Sequence, residues 1–358
     1  MSTNLSPQLT YLTPFGEDVP LRPAPRTDRV PDPSADPLLR YEPVRDEITG
    51  RELLLVSVDP SSHKRPRERA RAYTALDNEI MAGVRIARGS GGGPRSELSR
   101  LVGYRDDPTE PFALLEPYRG TPLPTVLHRR RLFEEEQARF RDGLFRALSL
   151  LHSWDLVHRN IRPENVRWDE TDMSVQLCGL TRATVAGVPR EAVGSAPWAP
   201  HEQRAGTGRC DTRDDVWSAG LVLFQAVTGH DIASSSHLPL DRYPELAALL
   251  EGVFERSAER RPGAGTLLTR ATGGALPLHT GAGEHLGQGR SRFPEEARRP
   301  AGAGPEVSSA DTSEGAAHGR ETLPTPPGDG GRAKPWGKPL LILLGLAGAA
   351  AALFFLLG

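Results

Sequence analysis

The chain has 358 residues, room for one large domain of about 250 residues plus appendages. Its net charge of −2 gives no bulk electrostatic reason to expect nucleic acid as a partner. Its two cysteines, Cys178 and Cys210, exclude a disulfide framework and a structural zinc site, so a reducing compartment is the simplest setting. Lysine occurs only at Lys64, Lys334 and Lys338, and the remaining basic residues are arginine. With abundant Ala, Gly and Pro, this is the signature of GC-rich coding DNA, as in many bacteria.

In chain order, Met1 to Glu17 lacks the basic-then-apolar pattern of a signal peptide. Residues 1 to about 37, rich in Pro, Asp, Ser and Arg, read as a flexible arm. Leu53–Val58 is an apolar run after the turn signal Thr49-Gly50 and predicts a buried strand. The basic cluster from Lys64 to Arg71 reads as a solvated approach to a helix through Leu76, Ile80, Val84 and Ile86. Gly89 to Pro94 lacks a strand-turn-helix setting and reads as a connector. Phe112 to Glu116 predicts another strand.

Phe133 to Trp154 is an amphipathic helix, with Phe140, Leu144, Ala147, Leu148 and Leu151 at helical spacing. Val166–Trp168 and Val175–Cys178 predict a hairpin. A second helix opens at Thr212, where Thr-x-x-Asp predicts a capping box with Asp215, and stops at Gly229. Its apolar residues run nearly all round, so it is expected to be buried. Further helix is predicted over Tyr243 to Phe254 and near Thr266 to Arg270. Residues 273–338 read as a disordered linker, from their Gly, Pro, Ala and Ser content.

Leu340–Leu357 is wholly apolar plus glycine, and as a helix would span about 27 Å, enough for a bilayer core. Eleven of its residues are Leu, Ile or Phe, each contributing roughly −0.3 to −0.6 kcal/mol to insertion. Arg332, Lys334 and Lys338 flank it on the N-terminal side, which assigns that side to the cytoplasm. Residues 339–358 are therefore expected to be a single-pass anchor in the cell membrane. Small residues four apart, Gly345 with Ala349 and Gly348 with Ala352, leave room for self-association through the tail.

The central segment reads His158-Arg159-Asn160-Ile161-Arg162-Pro163-Glu164-Asn165-Val166. It resembles the catalytic loop of eukaryotic-type protein kinases, H-R-D-L-K-P-E-N-V. The resemblance extends over residues 38–272. Glu79 is placed as the glutamate of the regulatory helix, Leu115 and Glu116 as the gatekeeper and first hinge residue, and Glu202 as the glutamate closing the activation segment. Asp215-Val-Trp-Ser-Ala-Gly220 and Arg261-Pro262 match later motifs. The resemblance implies an α+β, two-lobed fold with a β-rich N-lobe and a helical C-lobe. It also implies that Asp215 holds the loop containing His158 and Arg159, and that Arg261 pairs with Glu202. In an active kinase Arg159 would bind a phosphorylated residue, for which Thr184 and Ser195 are the positions available.

Phosphoryl transfer needs a cradle for ATP, charge neutralisation by Mg²⁺ and a carboxylate orienting the acceptor hydroxyl. The departures from the family fall on these parts. No glycine lies between Gly16 and Gly50, where the nucleotide lid belongs. Val56 stands at the phosphate-binding lysine, so Glu79 loses its usual partner and reads as an ordinary helix glutamate. Gly179, in Gly179-Leu180-Thr181, stands where the metal-binding aspartate belongs. Asn160 stands at the catalytic aspartate, and an amide cannot take a proton. Asn165 remains as a second metal ligand or as a brace for the loop. Arg162 keeps the positive charge of the loop's lysine or is simply solvated.

These residues lead to a kinase-like domain without catalysis, a pseudokinase serving as a docking module for a signalling protein. No cofactor is expected, with ATP and Mg²⁺ entering only if nucleotide binding persists. The alternatives are a divergent Ser/Thr kinase of low or partner-dependent rate, and a nucleotide-binding switch.

Overall fold

The computed structural model describes residues 8–26, 35–59, 61–62, 65–91, 97–232 and 238–274. Lys64, nearly all of the linker and the apolar segment Leu340–Leu357 lie outside the described residues. No helix among the described residues is long and apolar enough to cross a membrane.

A seven-stranded antiparallel sheet occupies the first part of the chain. It is built from β1 (Leu9–Leu12), β2 (Asp18–Leu21), β3 (Pro23–Pro25), β4 (Arg40–Asp46) and β5 (Glu52–Ser57), with β6 (Leu101–Arg105) and β7 (Phe112–Leu115) added after the first helix. The strand order is β2-β1-β6-β7-β5-β4-β3. The reading of residues 1 to 37 as a flexible arm is thus corrected over residues 8–26, which supply three strands. Their prolines misled the compositional reading. Pro20, Pro23 and Pro25 lie on β2 and β3, the two outermost strands, where a missing N–H breaks no interior ladder.

Helix α1 (Pro66–Gly89) starts with proline in its first turn, where the absent N–H costs nothing. It buries Ala72, Ala75, Leu76, Glu79, Ala82, Gly83 and Ile86, one face at helical spacing. Gly83 lets it approach the sheet: a Cβ there would lie 2.5 Å from that of Leu101. Leu76 and Ala72 pack with Val56, Ala113 and Leu115 in the core of this lobe.

After β8 (Thr121–Pro122) and α2 (Leu123–Arg129) the chain becomes mainly helical. Helix α3 (Glu134–Ser153) carries Phe140, Leu144, Ala147, Leu148 and Leu151, all fully buried. β9 (Leu156–Val157) precedes the central segment. A hairpin of β10 (Val166–Asp169) and β11 (Ser174–Leu177) follows it. β12 (Thr184–Val185) pairs back on β9. Then come α4 (His201–Ala205), α5 (Arg213–Thr228), α6 (Pro244–Leu249) and α7 (Ala264–Thr272). The helix predicted over Tyr243 to Phe254 is shorter than expected, since α6 ends at Leu249.

Helix α5 is buried nearly all round, with Val216, Ala219, Val222, Phe224 and Ala226 closed to solvent, and it ends at Gly229 in a left-handed conformation. The predicted capping box does not form: the Thr212 side chain makes no cap bond. The Asp215 carboxylate is turned instead toward the central segment.

Candidate functional site

Asp215 is fully buried at the start of α5. It accepts the backbone N–H of His158 at 2.7 Å and that of Arg159 at 2.8 Å. Its Oδ2 also lies 3.1 Å from His152 Nε2. A carboxylate has the lone pairs to take three donors at once, which fixes the otherwise costly left-handed Arg159, at φ 60°. The His158 ring is buried, and burial holds it below the usual imidazole range, so it is neutral. Both nitrogens are used: Nε2 donates to Cys178 O at 3.1 Å, and Nδ1 accepts the Asn160 N–H at 3.3 Å.

Below the loop, Arg261 Nη2 meets Glu202 at 2.6 Å, with the guanidinium almost fully buried. Two partners had no strong local signal. Arg190 makes a two-pronged contact with buried Asp214, Nε to Oδ2 at 2.9 Å and Nη2 to Oδ1 at 2.8 Å. Gln203 Nε2 donates to Arg159 O at 3.0 Å. The adjacent Asp214-Asp215 pair could have pointed to the first, but Arg190 sits in an exposed, irregular stretch.

The other site residues line the cleft between sheet and helices. Val56 and Leu115 are closed to solvent in one apolar cluster with Leu39, from the segment preceding β4. Glu116 is at the surface, where its Oε1 binds Arg100 Nη1 at 3.0 Å and Arg51 Nη2 at 3.3 Å. The segment 35–39 turns into the cleft. Asp36, 5% exposed, accepts the Thr181 hydroxyl through Oδ2 at 2.9 Å and the Leu38 N–H through Oδ1 at 3.0 Å. Neither Asp36 nor Thr181 was singled out by sequence, because a contact across 145 positions leaves no local pattern.

Glu79 is not the ordinary helix glutamate expected. It is 1% exposed, and neither carboxyl oxygen has a hydrogen-bond partner among the described residues. Burial pushes its pKa up to about 8 and the nearby Asp36 charge adds to the shift. The Leu180 N–H lies close enough to offset part of it, without meeting hydrogen-bond geometry.

Asn165 is also buried. Its Nδ2 donates to Asn160 O at 2.7 Å, bracing the loop, while its Oδ1 has no partner and faces Gly179. Asn160 and Arg162 are partly exposed and open onto a separate small cavity beside Ser195.

The cleft residues do not fit ATP with Mg²⁺. A hard divalent cation wants several oxygen ligands, and here one amide oxygen faces a glycine. No group of three potential His, Cys, Asp or Glu ligands occurs among the described residues. Val56, which the resemblance puts at the phosphate-binding lysine, is buried and apolar. Asp36 and Glu79, ionisable groups inside, are acids, and neither offers the positive charge that a triphosphate needs.

Residues 75–268, just over half of the chain, match the protein kinase domain family. The chain is 28% identical over 146 residues to the CBL-interacting serine/threonine-protein kinase 24 of Arabidopsis thaliana, covering 40% of this chain and 33% of that one. It is 31% identical over 155 residues to the MAP kinase-interacting serine/threonine-protein kinase mnk-1 of Caenorhabditis elegans, covering 37% and 22%. To the serine/threonine-protein kinase PknL of Mycobacterium tuberculosis it is 32% identical over 117 residues, covering 30% and 29%. The chain therefore spans a third or less of the length of each of these relatives.

Proposed function

The chain belongs to the protein kinase domain family, and on that premise we propose that it is a non-catalytic member working as a docking module in signalling. One observation carries this reading. Asp36 is bound to Thr181, in the segment where the resemblance puts the metal ligand, and Leu39 packs in one cluster with Val56 and Leu115, which supports a cleft occupied by the chain itself rather than by nucleotide. Val56, Asn160 and Gly179 support it, since positioning, proton acceptance and metal binding each need a side chain that these residues lack. The loop framework around Asp215 is retained, as a docking surface of fixed shape requires.

The test incubates purified protein with ATP and Mg²⁺ or Mn²⁺. The expected result is no phosphate on the protein or on generic substrates, and no thermal shift with ATP or ADP. Bound nucleotide at 100 times its Kd would stabilise by about 2.7 kcal/mol, which a melt detects. Stoichiometric labelling that disappears in Asn165→Ala would overturn the reading in favour of a divergent Ser/Thr kinase. Arg162 and the relatives' printed activities favour that second reading.

The composition of Leu340–Leu357 supports anchoring at the cytoplasmic face of a membrane. Resistance to alkaline carbonate extraction, lost on deletion of that segment, is the expected outcome. Release of the full chain by carbonate would argue against it.

A further inference from the structure

Beside the central loop lies a cavity of about 170 Å³. Arg159, Asn160, Arg162, Arg182 and Ser195 contribute to its lining, and no acidic residue does. Two of the guanidinium groups are incompletely satisfied. Arg182 Nε is buried without a hydrogen-bond partner, and so is Arg162 Nε, whose nearest carboxylate, on Glu164, stands 3.6 Å away. The third, Arg159, is almost fully buried, with its Nε bound to Arg182 O at 2.6 Å and its Nη1 3.9 Å from the carboxylate of exposed Glu191. Buried donors without acceptors are costly, and three guanidinium groups against two carboxylates, Glu164 and Glu191, neither of which lines the cavity, leave it positive and suited to an anion.

We propose that this cavity binds the phosphate monoester of a phosphorylated serine or threonine on a partner protein. The size admits a phosphoryl group on a short stem and is too small for a nucleotide. A monoester near neutral pH carries about −1.5 to −2 charges and three acceptor oxygens, which suits arginine forks. Asn160 is what turns the site toward the phosphorylated form. A carboxylate there would repel the anion, whereas the amide is neutral and has two N–H donors. Ser195, exposed at the rim beside Gly194, places the entrance on the surface, within reach of a polypeptide.

The inference deepens the docking reading by naming the partner's chemistry, and it is tested without nucleotide so that the two can fail separately. The full chain in detergent is titrated into fluorescein-labelled degenerate peptides with a central phosphoserine or phosphothreonine, and into the same peptides unphosphorylated. Anisotropy should report at least about ten-fold tighter binding of the phosphorylated set, with displacement by O-phospho-L-serine. Arg182→Ala and Asn160→Asp should each weaken it by about ten-fold or more, with unchanged melting temperatures. Arg67→Ala, at an exposed position on α1, should leave it unaltered. Equal binding of both peptide sets overturns the proposal. So does phosphopeptide binding indifferent to Arg182→Ala and Asn160→Asp, or binding of inositol phosphates in preference to the peptides.

Discussion

The Thr181 hydroxyl donates to Asp36 Oδ2 at 2.9 Å, tying together two buried positions that lie 145 residues apart. Asp36 is nearly buried, so its carboxylate depends on this donor and on the Leu38 N–H. Removing one partner of a buried charged group leaves the other to bear its desolvation. Thr181→Val, close in shape, should therefore cost about 1–3 kcal/mol in urea unfolding. Amide hydrogen exchange should accelerate at residues 36–41. Unchanged exchange there would mean that the segment is held by Leu39 packing alone.

Glu79 makes stability depend on pH in a stated direction. Its folded pKa of about 8 lies above the ordinary value of 4.5, so the native state binds the proton more tightly than the unfolded chain. Nothing is lost below the unfolded value. Stability declines as pH rises from about 4.5 to about 8 and levels off above that. The full decline is on the order of 5 kcal/mol, at about 1.4 kcal/mol per pH unit. Glu79→Gln should flatten the profile and raise the urea midpoint at pH 8 relative to the parent. A parent profile that is flat or rising over this window would show that Glu79 is ionised in the fold.

How far the architecture was readable from residues alone depended on the range of the signal. Helices α3 and α5 announced themselves through periodicity over many turns, and the central loop through an ordered run of motifs. The strands β1 to β3 did not. They are three or four residues long, and β2 and β3 carry prolines, so their pattern resembles that of a disordered arm; only pairing within the sheet makes them strands. β4, Arg40–Asp46, hid in the same way, its alternation interrupted by Pro43. The capping box at Thr212 failed for the opposite reason. The local pattern was right, but Asp215 is engaged by more demanding donors from His158 and Arg159. Asp36, Thr181, Arg182 and Arg190 act through partners far away in sequence, so nothing in their neighbourhoods marked them.

Asp215 gives the sharpest contrast between two neighbouring acid and amide positions. Asp215→Asn keeps the shape but turns one acceptor oxygen into a donor facing N–H groups. Given contacts at 2.7 and 2.8 Å to a carboxylate, the loss should be about 2–4 kcal/mol. The reverse exchange, Asn160→Asp, sits at a partly exposed position and should change stability by less than about 0.5 kcal/mol. Thermal melts of the two variants side by side check this. Comparable losses would remove Asp215 from its place as the organiser of the loop.

Gly179 tests whether the cleft can return to metal binding by a single change. Its φ is +75°, and a Cβ there would lie 2.9 Å from Asn165 Oδ1. The left-handed backbone alone costs a residue with a Cβ about 1–2 kcal/mol, and the contact adds to that because Asn165 is held by Asn160 O. Gly179→Ala should thus lower stability by about 2 kcal/mol or more. Asn165→Ala, which removes the facing oxygen, should recover part of the loss, so the double variant is less destabilised than the two singles added together. Gly179→Asp meets the same Cβ contact, although aspartate tolerates the left-handed region better than alanine. It should therefore melt below the parent and show no Mg²⁺-dependent rise, because the single carboxylate arrives without a cation at Val56 or an open cleft. A Mg²⁺-dependent rise in Gly179→Asp would show that the remaining oxygens complete a metal site after all.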